Sequence, residues 1–178
     1  VFYLHNNPSP PSGNTTSQHD LPCNGTVPIA TQLFNYDTDR DSGPGRVIQK
    51  GGSGAGELDE QKHQHWRTPG FPGPQSINGS VRLELFVAAR DFNVGQMIHG
   101  AAYLSDVTPG GGSTLIGQGS FGFNSTGNWT MTTVFMGVNH TLAAGHSLEL
   151  TVISPGSSAD DLWVAYDTTA YKSRIVLP

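Results

Sequence analysis

One cysteine, three lysines and no apolar run of eighteen residues mark this chain by what it leaves out. A lone Cys23 excludes an internal disulfide and leaves either a harmless thiol or a bridge to another chain. Nothing around Pro22, Cys23 and Asn24 has the setting of a cysteine nucleophile. The absence of a long apolar stretch excludes a membrane-spanning helix. Charged residues make up 13% of the 178 positions, about half the usual share for a soluble domain. The net charge of -5 removes the basic footprint of a nucleic-acid binder. The chain opens at Val1 without an apolar leader, so a removed leader or an excised domain is expected.

What fills the space is Gly (23), Ser (16), Thr (16) and Asn (10), which are poor helix formers. From residue 80 onward apolar and polar residues alternate with period two. Val81, Leu83, Leu85, Val87 and Ala89 alternate with Arg82, Glu84, Phe86, Ala88 and Arg90. Similar runs cover Met97 to Leu104, Trp129 to Val138, His146 to Val152, Leu162 to Tyr166 and Ser173 to Leu177. Shorter strand candidates lie at 46–50 and 62–67, and Thr141 to Ala144 offers one helical turn. Period-two runs separated by Gly, Pro, Asn and Asp clusters predict an all-β fold, two antiparallel sheets packed as a sandwich or jelly roll.

The expected organisation is an arm over residues 1–30 and one sandwich domain over 31–178. Pro8, Pro10, Pro11, Pro22 and Pro28 keep the arm extended. Val1, Phe2, Tyr3, Leu4 and His5 form a short strand-like start. That start either pairs in its own sandwich or crosses to a second copy, since the spacer reaches roughly 3 Å per residue.

Asp37, Asp39 and Asp41 occupy positions 1, 3 and 5 of a calcium-loop pattern, and hard carboxylate oxygens on a tight turn suit calcium. Position 6 is Ser42 and position 12 is Ile48, so this is no EF-hand; Asp160, Asp161 and Asp167 are candidates to complete the site from a distant loop. The competing reading is a solvated acidic turn in which Arg40 neutralises a neighbour. His63 and His65 share one strand face, an arrangement that can clasp zinc or copper or merely form a polar face.

Six acceptor triplets point to N-glycosylation at Asn14, Asn24, Asn78, Asn124, Asn128 and Asn139. A chain this rich in Asn, Ser and Thr also makes such triplets by chance. With scarce lysine they favour an extracellular or cell-surface location. Catalytic spacing is missing: Gly119, Ser120, Phe121 and Gly122 do not make a nucleophile elbow, and the Gly51–Gly56 run has no phosphate-loop Lys. The expectation is no enzyme. Trp66 and Trp129 are candidates for a sugar-stacking platform, with core packing as the alternative.

Three segments carry a family resemblance: Tyr3-Leu4-His5-Asn6-Asn7-Pro8, Phe34-Asn35-Tyr36-Asp37-Thr38-Asp39-Arg40-Asp41, and the closing stretch from Asp161-Leu162-Trp163-Val164-Ala165-Tyr166 to Pro178. They look like modules of secreted bacterial and archaeal surface proteins. The arrangement also resembles the C-terminal jelly-roll domain of Xaa-Pro dipeptidyl-peptidase and cocaine-esterase hydrolases. The resemblance implies a non-catalytic sandwich. Two functions follow as expectations. One is a self-associating subunit of a surface fibre, pilus-like filament or surface layer, partnered by copies of itself. The other is a carbohydrate-binding or accessory domain of a secreted hydrolase, partnered by glycans.

Overall fold

The computed structural model describes residues 1–4, 18–20, 46–59, 61–166 and 170–178. Among them there is no α-helix, and so no helix long and apolar enough to cross a membrane. A three-residue 3-10 turn at Arg90–Phe92 is the one helical element described. The predicted helical turn after Thr141 is instead the end of a strand followed by a tight turn with Gly145 at φ +83°.

Among the described residues twelve strands form two six-stranded sheets, and the two sheets are what the alternation predicts. The first sheet contains β1 (Phe2–Tyr3), β3 (Arg46–Ile48), β6 (Gln75–Ala89), β9 (Thr130–Leu142), β11 (Leu162–Ala165) and β12 (Arg174–Val176). The fifteen-residue β6 is its spine. One edge pairs with β9 along its whole length, and the other carries β12 and then β11. The second sheet contains β2 (Gln18–Asp20), β4 (Lys50–Gly52), β5 (His63–Arg67), β7 (Met97–Val107), β8 (Ser113–Asn124) and β10 (Ser147–Pro155), in the order β2-β5-β10-β7-β8 with β4 beside the end of β10. Pairing is antiparallel except for the short β2–β5 and β4–β10 contacts, which are parallel.

Alternation places Val81, Leu83, Leu85 and Val87 of β6 opposite Ile98, Leu104, Leu148, Leu150 and Val152 of the second sheet, all fully buried. Each buried aliphatic side chain of this size contributes about 1.5–3 kcal/mol. Trp66 and Tyr166 join this core, edge to face at 5.3 Å.

Two features close the sandwich. At one side β8 lies directly against β9 without pairing to it. Gly119 permits this, because a Cβ there would sit 2.5 Å from Val134 Cγ1 and 3.1 Å from the Phe135 carbonyl. At the other side the first residues take the intramolecular arrangement. Phe2 faces Ile175 and Tyr3 faces Arg174 in an antiparallel pair with β12, Leu4 N–H donates to the Ser173 carbonyl at 3.0 Å, and Leu4 is fully buried. Of the two arrangements open to this first strand, pairing within its own sheet is the one found.

Candidate functional site

The outward face of the second sheet follows from the same alternation. It presents His63, His65 and Arg67 of β5, Glu149, Thr151 and Ile153 of β10, Met97, His99, Ala101 and Tyr103 of β7, and Gln118, Ser120 and Gly122 of β8. Register aligns His65, Thr151, Tyr103 and Gln118 in one row across four strands. The next row holds Arg67 and Glu149, where Arg67 Nε donates to Glu149 Oε2 at 2.8 Å. The turn after β4 lies near this face, since a Cβ on Gly54 would be 3.9 Å from the Tyr103 hydroxyl. Glu57 pins that turn by accepting from the Asp59 N–H (3.0 Å) and from the Ser53 hydroxyl and N–H (2.8 and 2.7 Å). These bonds, led by the Asp59 backbone, lower the Glu57 pKa to about 2.

Where β7 begins, this face opens into a groove of about 610 Å³ lined by Met97, His99, Ser120, Gly122, Pro155 and Ser157 among others. Among the described residues, no Lys, Arg, Asp or Glu lines it. His99 and Gly122 are direct cross-strand partners, and a Cβ on Gly122 would come within 3.1 Å of His99 Nδ1.

A second polar constellation sits inside one end of the sandwich. Asp106 of β7 is buried and accepts from His140 Nε2–H at 2.8 Å and His146 Nδ1–H at 2.7 Å. An ionised carboxylate only accepts, so both of those nitrogens carry the proton. Burial works to raise the Asp106 pKa. The two imidazole bonds and the histidine charges more than reverse this, and the carboxyl titrates below its ordinary value. The three residues tie β7 of one sheet to β9 of the other and to the β9–β10 turn. Nothing in their sequence spacing announces them.

The outward face of the first sheet carries the aromatics. Trp163 is buried under Trp129 (5.0 Å, 63°) and Phe92 (5.1 Å, 47°); Trp129 also meets Phe92 (5.4 Å, 87°) and Tyr171 (5.4 Å, 42°). The chain of rings continues to Phe86. With Val47 and Ala88 they make a small outer core.

The residues singled out from sequence are distributed as follows. Trp66 is fully buried between the sheets, so no face of it is open to a sugar; its strand position turns it inward, opposite to His65 and Arg67. Trp129 is half-buried, but its neighbours stand at steep angles to it and do not form a flat strip. His63 and His65 do share a face, with ring centroids 5.4 Å apart, and His63 is buried with Nδ1 bonded to the Asp59 carbonyl at 2.8 Å. Asn78, Asn124, Asn128 and Asn139 are exposed, and Asn78 and Asn139 face each other across β6 and β9. Asp37, Asp39, Asp41, Asn14, Asn24 and Cys23 lie outside the described residues, as does Asp167. The carboxylates of Asp160 and Asp161 are engaged by Asn93, Lys50 N–H and Arg90. Among the described residues no three His, Cys, Asp or Glu side chains are grouped to hold a metal ion.

No protein-family model and no curated protein sequence matches the chain. Solved structures do. An alpha-amino acid ester hydrolase matches with a TM-score of 0.61 at 14% identity, over 85% of this chain and 35% of that one. A CocE/NonD family hydrolase from Staphylococcus aureus matches with a TM-score of 0.60 at 11% identity, over 100% of this chain and 36% of that one. An aminopeptidase from a marine sediment Thaumarchaeota archaeon matches with a TM-score of 0.57 at 15% identity, over 68% and 26%. This chain therefore spans about a third of the length of such hydrolases, and at these identities the likeness is one of fold.

Proposed function

We propose that this chain is an accessory β-sandwich domain of an extracellular hydrolase, which performs no bond cleavage itself and works beside a separate catalytic domain. The supporting observation is the asymmetry of the structural matches. The Staphylococcus match takes in the whole of this chain but only 36% of the hydrolase, so most of that enzyme has no counterpart here. The family resemblance read from the sequence points the same way, to the C-terminal jelly roll of such enzymes. The filament reading finds no comparable support, and the first strand, one candidate for a link between copies, pairs with β12 of its own sheet.

Two assays test the proposal. The isolated chain should hydrolyse p-nitrophenyl acetate and an aminoacyl p-nitroanilide no faster than buffer. An antibody against the chain should deplete esterase or peptidase activity from material of the source organism. Turnover by the pure chain that a substitution in this chain removes contradicts the non-catalytic role. Activity that stays entirely in the supernatant contradicts the hydrolase association.

A further inference from the structure

We propose that the groove at Met97 and His99 binds a neutral carbohydrate, with the His99 imidazole and the Ser120 and Ser157 hydroxyls meeting its hydroxyl groups. The site goes beyond the accessory-domain reading and does not depend on it.

His99 is the centre of the argument. Its backbone is fixed on both sides: its N–H donates to Ser158 Oγ at 3.1 Å and its carbonyl accepts from Ser154 Oγ at 3.3 Å. Its ring, half-buried at the groove, has no hydrogen-bond partner among the described residues. A neutral imidazole offers one donor and one acceptor, the complement of a sugar hydroxyl, which both donates and accepts. The residue opposite is glycine, and the ring occupies the space that a side chain there would take. Ser120 and Ser157 are exposed on the groove's lining and add two rotatable hydroxyls. Met97, 43% exposed, and Pro155 add C–H surface for the apolar face of a pyranose.

The lining also selects against charge. With no Lys, Arg, Asp or Glu among the described residues of the lining, a carboxylate or ammonium ligand would lose water and gain no counter-charge from them. A neutral polyol exchanges water bonds for bonds to imidazole and hydroxyl at little cost. One further residue bears on where the sugar comes from. Asn124, an exposed acceptor position, is the direct cross-strand partner of Met97 on the same face. The sugar is therefore either a separate oligosaccharide or a glycan carried on Asn124.

The test is isothermal titration of the chain, made without N-glycans, with cellohexaose, xylohexaose, mannohexaose and maltohexaose, with polygalacturonate as the charged comparison. At least one neutral sugar should bind and polygalacturonate should not. His99→Ala should weaken binding about tenfold, the loss expected for a hydrogen-bonded ring contact. Gly122→Val should abolish it by pushing the His99 ring out of place, and Trp129→Ala should leave it unchanged. Circular dichroism of each variant separates loss of binding from loss of the fold. Glycosylated protein that binds only after Asn124→Gln identifies the chain's own glycan as the occupant. Binding to none of the four neutral sugars overturns the proposal. So does binding that survives His99→Ala and Gly122→Val, or that is lost in Trp129→Ala alone. None of these outcomes touches the hydrolase assays, so the two readings fail separately.

Discussion

The two outward faces of this sandwich are built from the same alternating pattern and have become different surfaces. On the first sheet the outward positions at one end are aromatic, and the rings spend their surface on one another. Trp163 is 4% exposed, covered by Trp129 and Phe92 at steep interplanar angles, so this end is a second, smaller core. On the second sheet the outward positions are imidazole, hydroxyl, glycine and one ion pair, and at the start of β7 they leave a groove unfilled. The proposed binding site therefore lies away from the concentration of aromatic rings. The signal that carries the proposed site is an imidazole whose ring has no partner among the described residues, packed over a residue that has no side chain.

The contrast can be broken most forcefully through the tryptophans. Trp66→Ala empties a fully buried site in the main core and should cost about 3–5 kcal/mol of stability by denaturant unfolding. Trp129→Ala removes ring contacts from the smaller outer core, each worth about 0.5–1.5 kcal/mol, and should be clearly milder than Trp66→Ala. Equal effects would mean that the outer ring cluster is as integral as the interior. A second pair lies within one strand. Gly119→Val points into the β8–β9 corner, where there is no room, and should destabilise by about 1–3 kcal/mol. Gly122→Val, three residues on and facing outward, has as its nearest neighbours the movable His99 ring at 3.1 Å and the Ile98 carbonyl at 3.4 Å, and should cost less than Gly119→Val. If the two valines behave alike, the assignment of inward and outward faces on β8 is wrong.

Asp106 provides the pH-dependent test. Its carboxyl is lowered in the folded chain, so the stability it contributes is fully present above its unfolded pKa of about 3.9. That stability is lost as pH falls through the lower folded value. Unfolding midpoints followed downward from pH 5 should therefore show an acid limb that Asp106→Asn flattens. An unchanged limb would assign it to other carboxylates.

The sandwich was legible because residues such as Val81, Leu83 and Leu85 alternate without interruption and have only one way to bury their apolar side. β8 was not legible. Gly117, Gly119 and Gly122 interrupt its alternation, since glycine weakens an isolated strand, yet close approach of β9 requires Gly119 and the His99 ring takes the space beside Gly122. The Asp106 cluster escaped because its three members, at 106, 140 and 146, meet only when the sheets pack. His99 carried no spacing signal for the same reason: its partner in the groove is a glycine on another strand. Trp66 misled for a simpler cause. One register step decides whether a strand residue faces water or the core, and a five-residue strand flanked by His and Arg gives weak evidence for which.

The most direct test of the difference between the faces is a nuclear magnetic resonance titration of the unglycosylated chain with a neutral oligosaccharide, following the His99 ring and the indole N–H groups of Trp129 and Trp163 in one sample. The groove account predicts that the His99 ring signals and the amides of Met97, Ala101, Ser120 and Gly122 shift together while the two indole signals stay in place. Indole shifts with a silent His99 would contradict it and return the binding role to the aromatic face.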